Sequence, residues 1–542
     1  MFIWPALSAC MLVFSCLVFG RVLIHYFQLE SYQFPGYFRT IRRNLKKASV
    51  PGMTLGLIWI SVVLLSAAFL PAALEWVIIP VLFVAFSVSN FIIRRKSEKN
   101  HEKKPLVFTS RIKRLVAVCA VLWFILLYFF FVLSKSSGLY MGKLNINFFS
   151  VLFLLFPVFL PVWVALGGLL AWPLEKLISE LYFRDAQRML KQRNDLIRIG
   201  ITGSWGKTSV KFILGTILGE KYHTLITPAS FNTPMGVTKV IRTKLEPSHR
   251  VFIAEMGARH VGDIREMCRL VSPEIGVLTS IGPQHLDTFK TLDRIIQTKC
   301  ELIDKLPENG TVFIGDDEGI CRDVAGKTDK KHILAGLDPG HDQIWAEHIV
   351  TGKDGSSFDL CTKEFRVPCH TALLGELNIR NIVLAAAVGI ELGLTGKQIA
   401  SGIGKLKPVE HRLQLIPNPG GITIIDDAFN SNIRGAEQAF RTLHDFPSRR
   451  IVVTPGMVEL GQQEESMNES LGQSMAENCD TAVLVGKKRA VSIQRGLLKS
   501  GFPPEEIYIV QSLDEATTLL GQIAKSGDTV LFENDLPDNY KE

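Results

Sequence analysis

"IGITGSWGKTS", Ile199 to Ser209, decides how the rest of this 542-residue chain is read. The apolar run "LIRIGI" ends inside it and the apolar-periodic stretch "TSVKFILGTIL" grows out of it, so its glycines sit in a tight turn between a strand and a helix. A phosphate-binding loop needs that setting. Gly203 and Gly206 let backbone amides approach phosphate oxygens, and the helix N-terminus adds positive potential. Lys207 can neutralise the outer phosphates, and the Thr208 hydroxyl can bind Mg2+. Ser204 and Ser209 complete the nucleotide-contacting set. The spacing is one residue off the common GxxxxGK[ST], because position 201 is isoleucine and the nearest earlier glycine is Gly200. Trp205 reads as packing.

Downstream of the loop, "RVFIAE", "IGVLTSI" and "GTVFIGD" repeat the strand theme with helical patterns between them. A second run, "GITIID", "RRIVVTP", "TAVLVG", "EIYIV" and "DTVLFE", begins near Ile416. Strands alternating with helices imply parallel sheets covered by helices, so two α/β units are expected, 197–415 and 416–542. No internal repeat or low-complexity segment interrupts them.

Upstream, 47% hydrophobic residues overall is high for a purely soluble chain, and the excess lies at the front. Five stretches are each long enough to cross a hydrocarbon core of about 30 Å: Met1 to Gly20, Met53 to Leu70, Leu74 to Ile93, Leu115 to Ser134 and Phe148 to Trp172. The first lacks the basic residues of a signal peptide and is read as a span. Basic residues crowd two loops, Arg21 to Lys47 and Arg94 to Arg114, and basic loops stay on the cytoplasmic side. The N-terminus is therefore expected outside a cell membrane, with everything after Trp172 in the cytoplasm. Pro157 and Pro161 are expected to kink the last span. Residues 1–174 thus read as a multi-pass α-helical region and 175–196 as an amphipathic linker helix. The span centres carry no ionisable residue, which argues against a transporter or a sensor driven by an NTPase domain. A net charge of +8 resides largely in the two basic loops, where anionic membrane lipids are the nearer partner, so no nucleic-acid role is assigned. The nine cysteines show no CxxC or other metal-ligand spacing.

Three further residues attract attention. Glu255 ends the strand "VFIAE", where ligands gather in open α/β sheets, and is a candidate carboxylate for the metal. His285, in "TSIGPQHLDTF", follows another strand end, though by itself it reads as a surface-loop histidine. Lys299 falls within the apolar stripe Leu292, Ile295, Ile296, Leu302, Ile303 and Leu306; it is either desolvated, with a lowered pKa, or snorkels to water.

Taken in order, "GITGSWGKTS", "FNTPMG", "AEMGA", "TSIGPQHLDTF", "QTKCEL", "GELNIRN", "HRLQ" and "DDAFNSN" resemble the Mur ligase family, most closely its D-alanyl-D-alanine-adding branch. The resemblance spans Ile197 to Glu542. It implies a central ATP-binding domain and a smaller C-terminal Rossmann-like domain, and an ATP-dependent carbon–nitrogen ligase. ATP phosphorylates a carboxylate acceptor, UDP-linked or lipid-linked, and the amine of an amino acid or dipeptide attacks the acyl phosphate. By the same resemblance Lys207 and Thr208 hold the phosphates and one Mg2+, Glu255 and His285 are metal ligands, and Lys299 is the lysine that becomes carbamylated and serves a second Mg2+. Asn378 and Asn381 match the adenine-side asparagines, Arg412 the hinge arginine, Asp427 and Asn430 the C-terminal contribution to the nucleotide, and Asn232 and Gly236 a motif near the acceptor. Leu377 stands where the family has histidine, "DDAFNSNI" lacks the family's proline, and the ending "VLFENDLPDNY" replaces a basic, glycine-containing segment. The apolar region occupies the place of the UDP-sugar-binding domain.

Overall fold

The computed structural model describes residues 3–30, 32–45, 53–58, 60–61, 88, 106–133, 139–141, 144–146, 151–152, 155–229, 231–416, 418, 420–428 and 432–535. The chain divides into two compact units, the first ending at Glu180 and the second beginning at Leu181.

Among the described residues of the first unit, three helices are long and apolar enough to cross a membrane; they lie in α1 (Ile3–Leu29), in α3 (Ser110–Leu133), and in the stretch ending with α4 (Leu160–Lys191). A short helix, α2 (Phe34–Arg43), follows α1. These account for the first, fourth and fifth expected spans. The second is described only at 53–58 and 60–61, and the third lies outside the described residues apart from position 88. Three boundaries differ from expectation. First, α1 does not stop at Gly20 but continues through Arg21 and His25, since a single charged residue does not break a helix. Second, within the fifth expected span α4 begins at Leu160. Pro157 lies in a one-turn 3-10 segment, Phe156–Phe159, and Pro161 in the first turn of α4, where a missing amide costs no helical hydrogen bond. Third, no separate linker helix starts at residue 175, because α4 runs unbroken through Pro173 to Lys191.

The three long helices pack closely through small residues. A Cβ on Gly167 would lie 2.3 Å from Cys119 Sγ, and one on Gly168 would lie 2.6 Å from the Phe27 ring, so α4 approaches both α3 and α1. Trp123 and Leu127 are buried among them, whereas Val121, Ile125, Phe129 and Val132 of α3 and Val162, Leu166, Leu169 and Leu170 of α4 face outward. Arg114 grips Glu175 with two hydrogen bonds, Nε to Oε1 at 2.5 Å and Nη2 to Oε2 at 2.9 Å.

The second unit contains two sheets. Among the described residues the larger has nine strands: β1 (Ile197–Thr202), β2 (Thr224–Ile226), β3 (Val251–Glu255), β4 (Ile275–Leu278), β5 (Thr311–Gly315), β6 (Lys331–Gly336), β7 (Ile344–Gly352), β8 (Gly355–Thr362) and β9 (Arg366–Thr371), in the order β9-β8-β7-β6-β5-β4-β1-β3-β2. Strands β1 to β7 are parallel. The strand pattern read from the sequence contains β1, β3, β4 and β5 and ends with "GTVFIGD"; β2 and β6 to β9 complete the sheet, and β8 and β9 turn it antiparallel at one edge. The order reverses at β1, which places its C-terminal end, and therefore the loop that follows, at a topological switch point. Helix α5 (Lys207–Leu218) packs Val210, Ile213, Leu214 and Ile217 into the same core as Ile199 and Ile201 of β1. α6 (Pro234–Lys244), α7 (Asp263–Val271) and α8 (Leu292–Lys305) follow β2, β3 and β4, whereas α9 (Gly375–Glu391) is buried nearly all round through "IVLAAAVG".

The smaller sheet comprises, among the described residues, β10 (Gln414–Ile416), β11 (Thr423–Asp427), β12 (Arg450–Thr454), β13 (Thr481–Val485), β14 (Ile507–Val510) and β15 (Thr529–Glu533), in the order β10-β11-β15-β12-β13-β14. All its pairs are parallel except β10 with β11. Its last five strands are those expected from the sequence, and β10 places residues 414–415 in the second sheet.

Candidate active site

The loop after β1 is held open by its glycines. Gly206 adopts φ +80°, and a Cβ there would stand 2.8 Å from Asn381 Oδ1; a Cβ on Gly203 would stand 2.0 Å from Thr279 Oγ1. The end of β4 braces it. Ser204 N donates to Ser280 O at 2.8 Å, Trp205 N to Ser280 Oγ at 2.9 Å, and Ser204 Oγ to Gly282 O at 3.0 Å. The Trp205 ring packs over Gly282. Lys207, Thr208 and Ser209 form the first turn of α5, where no preceding helical carbonyl can accept their amides. This is the geometry of an anion site at a helix N-terminus.

Beside the loop, at the end of β3, Glu255 is only 1% exposed, and its carboxylate accepts three hydrogen bonds. Oε2 accepts the Thr208 hydroxyl at 3.0 Å and Lys211 Nζ at 3.0 Å; Oε1 accepts Asn232 Nδ2 at 3.1 Å. The Glu255 amide donates to Thr227 Oγ1 at 3.2 Å. The structure therefore brings Thr208, Glu255 and Asn232 together. Lys211, with its side chain 0% exposed, is a member of this cluster that the sequence reading missed. Its signal was present: a lysine on the apolar face of α5 between Val210 and Ile213, of the same kind that drew attention to Lys299. Burial lowers the Lys211 pKa, opposed by Glu255.

Positive charge gathers around the loop. Lys207 Nζ donates to Gly203 O at 2.7 Å and Ser204 O at 3.0 Å. Loss of hydration holds its pKa down to about 8, with Arg412 adding to the effect and Glu255 opposing it. Lys299, on α8, is 3% exposed, so it is buried rather than snorkelling. Burial, reinforced by Lys207 and opposed by Asp263, pushes its pKa well below the usual lysine value. His285 is lowered by burial against the pull of Glu459, with Arg259 and Lys207 adding to the drop. Burial alone would raise Glu459, but His285 and Arg259 outweigh it and leave the carboxyl below its ordinary value. His285 Nδ1 is hydrogen-bonded to Glu459 Oε2.

The remaining expected residues are distributed around this centre. Asn381 lies against Gly206. Asn378 is buried and donates to Leu374 O at 2.9 Å. Gly236 is in the first turn of α6, its amide donating to Thr233 Oγ1 at 3.3 Å. Asp427 is buried at the end of β11, accepts the Leu413 amide at 3.1 Å, and is raised by burial against Arg412. Asn430 lies outside the described residues. Among the described residues no three His, Cys, Asp or Glu side chains come together in a metal-holding cluster. Thr208 with Glu255 nevertheless presents two hard oxygen donors 3.0 Å apart at the phosphate loop, a donor set that fits Mg2+.

Residues 201–389 match the Mur ligase middle domain, and residues 411–533 the Mur ligase glutamate ligase domain. The chain belongs to the Mur ligase family. It is thus an ATP-dependent ligase. It is 29% identical over 324 residues to the UDP-N-acetylmuramoyl-tripeptide–D-alanyl-D-alanine ligase of Escherichia coli, covering 59% of this chain and 71% of that one. To the enzyme of the same description from Mycobacterium tuberculosis it is 31% identical over 311 residues, covering 54% of this chain and 59% of that one. The structure of MurF ligase from Thermotoga maritima in complex with ADP shares the fold, with a TM-score of 0.59 at 23% identity over 66% of this chain and 80% of that one.

Replacing Lys211 with methionine leaves Glu255 buried beside fewer donors and is expected to destabilise the protein by about 3–5 kcal/mol, as for other broken buried ion pairs. Chemical denaturation of the Lys211→Met variant measures this. Adding Glu255→Gln should recover part of the loss.

Proposed function

We propose that the chain is a membrane-anchored ligase that uses ATP to join an amino acid or dipeptide to a carboxylate acceptor of the cell envelope through an acyl phosphate. The observation that carries this reading is the adjoining of the loop after β1, Lys207, Thr208 and Glu255 at one switch point. The first amides of α5 and Lys207 bind the outer phosphates. Thr208 and Glu255 would hold Mg2+, with His285 and a carbamylated Lys299 serving a second ion; such ions neutralise phosphate charge and orient the chain of phosphates. Asn378 and Asn381 line the adenine side, and Arg412, Asp427 and Asn430 supply the C-terminal domain's contribution to the nucleotide. Asn232 and Gly236 lie toward the acceptor.

The reaction balances as two transfers. An acceptor carboxylate oxygen attacks the γ-phosphorus of ATP and ADP departs. The amine then attacks the acyl carbon, the carbonyl–oxygen bond to phosphate breaks, and an amide, inorganic phosphate and a proton result. Lys207 and Arg412 supply the positive field in which charge moves among the phosphate oxygens. The relatives' names specify a UDP-N-acetylmuramoyl-tripeptide and D-alanyl-D-alanine, which supports peptidoglycan precursor chemistry.

Three long apolar helices with outward apolar faces, together with the basic loops, support a multi-pass anchor in the cell membrane, with the sheets on the cytoplasmic side. An anchored enzyme suits a membrane-associated acceptor, because both are confined to one surface and the effective concentration rises. A shortened chain starting at Leu181 tests this. It should ligate a lipid-linked acceptor in vesicles far more slowly than the full chain does; equal rates would remove the membrane-acceptor reading.

The neutral amine favoured at Lys299 is the form that combines with carbon dioxide, releasing a proton and leaving an anionic oxygen ligand. Lys299→Ala should therefore lose most ligase activity, on the order of 100-fold, and regain part of it with added acetate. Full activity without acetate would make the lysine structural.

A further inference from the structure

We propose that Glu459 is a positioning residue for His285, which ties the seating of the C-terminal sheet to the geometry of the nucleotide site; the proposal rests on reading His285 as a metal ligand. Glu459 lies in the loop between β12 and α10 (Glu464–Ala476). That loop is rigidly built. Asn468, fully buried on α10, accepts from the Met457 amide at 2.8 Å and donates to Met457 O at 3.0 Å and Glu464 O at 2.8 Å. Asn534 Nδ2 donates to Gly456 O at 2.7 Å, and Gly456, at φ +77°, has no room for a Cβ against Asn468 Oδ1 at 2.7 Å.

At the tip of this arm Glu459 has φ +64°, a conformation that few non-glycine residues adopt. All three of its described contacts there reach the central domain. Oε2 meets His285 Nδ1, Oε1 accepts Arg259 Nη2 at 3.4 Å, and the Glu459 carbonyl accepts the Asp287 amide at 3.3 Å. His285 is itself at φ +53°, on the N-terminal side of the one-turn helix Leu286–Phe289. Two strained residues from different domains thus face one another.

The chemistry of the pair is directional. An ionised carboxylate only accepts, so the imidazole proton resides on Nδ1 and Nε2 keeps its lone pair. A carboxylate behind a histidine fixes the tautomer and ring orientation that a cation needs. Here the carboxylate comes from the C-terminal domain, so His285 is held in its ligating form only while that domain is seated.

The test uses the full chain in detergent, with Mn2+ as the probe in the presence of a non-hydrolysable ATP analogue, and free Mn2+ read by electron paramagnetic resonance. Glu459→Ala should weaken Mn2+ binding by about 10–100-fold, the range for groups that orient metal ligands. Glu459→Gln, whose amide oxygen still accepts from Nδ1, should retain most of the affinity. His285→Ala should lose at least as much as Glu459→Ala. Wild-type affinity in Glu459→Ala alongside a weakened His285→Ala would overturn the proposal, as would equal losses in Glu459→Ala and Glu459→Gln. Wild-type affinity in His285→Ala would instead remove the metal-ligand reading, and this proposal with it.

Discussion

A carboxylate withdrawn from water must be paired, and Glu255 is the one on which this site turns. Its partners come from separate elements: Thr208 and Lys211 from α5, Asn232 from the segment before α6, and Thr227 from the end of β2 through the backbone amide. Satisfying one buried side chain therefore fixes the phosphate loop's helix against two neighbouring strands. The same bonds leave the Thr208 hydroxyl beside a carboxylate at the mouth of the loop, where a hard cation and phosphate would meet.

Around that anchor the electrostatics are deliberately unbalanced. Lys207 and Lys299 both have lowered pKa values because burial strips water from their ammonium groups and each adds to the positive field of the site. On the proposed reading a triphosphate supplies the complementary charge, and a carbamate on Lys299 converts a buried amine into an anionic ligand. The central domain gathers most of these groups, while Arg412, Asp427 and Glu459 bring the second sheet to bear on them.

Much of this was legible in the sequence, and for identifiable reasons. The loop from Gly203 to Ser209 announces itself because glycine geometry and a strand–helix transition leave a local signature. Glu255 was found because strand ends locate ligands in open sheets, and Lys299 because a charge interrupts an apolar stripe. Lys211 carries that same mark yet was passed over, since its partner, 44 residues away, is brought to it only by the fold. Glu459 left no local trace: its significance comes from a left-handed backbone and a contact 174 residues distant in sequence. The antiparallel edge strands were missed because pairing partners, rather than apolar runs, define them.

On the proposed reading the long apolar helices confine the enzyme to a surface, and both transfers converge on the acceptor's carboxylate. The most direct measurement follows its oxygen. With the acceptor carboxylate labelled with oxygen-18 and the amine and ATP unlabelled, an acyl-phosphate route transfers one labelled oxygen to the inorganic phosphate released, as read by mass spectrometry. Labelled phosphate, formed only when acid and amine are both present, is the predicted result. Unlabelled phosphate, with the label retained entirely in the acceptor or its product, would contradict it.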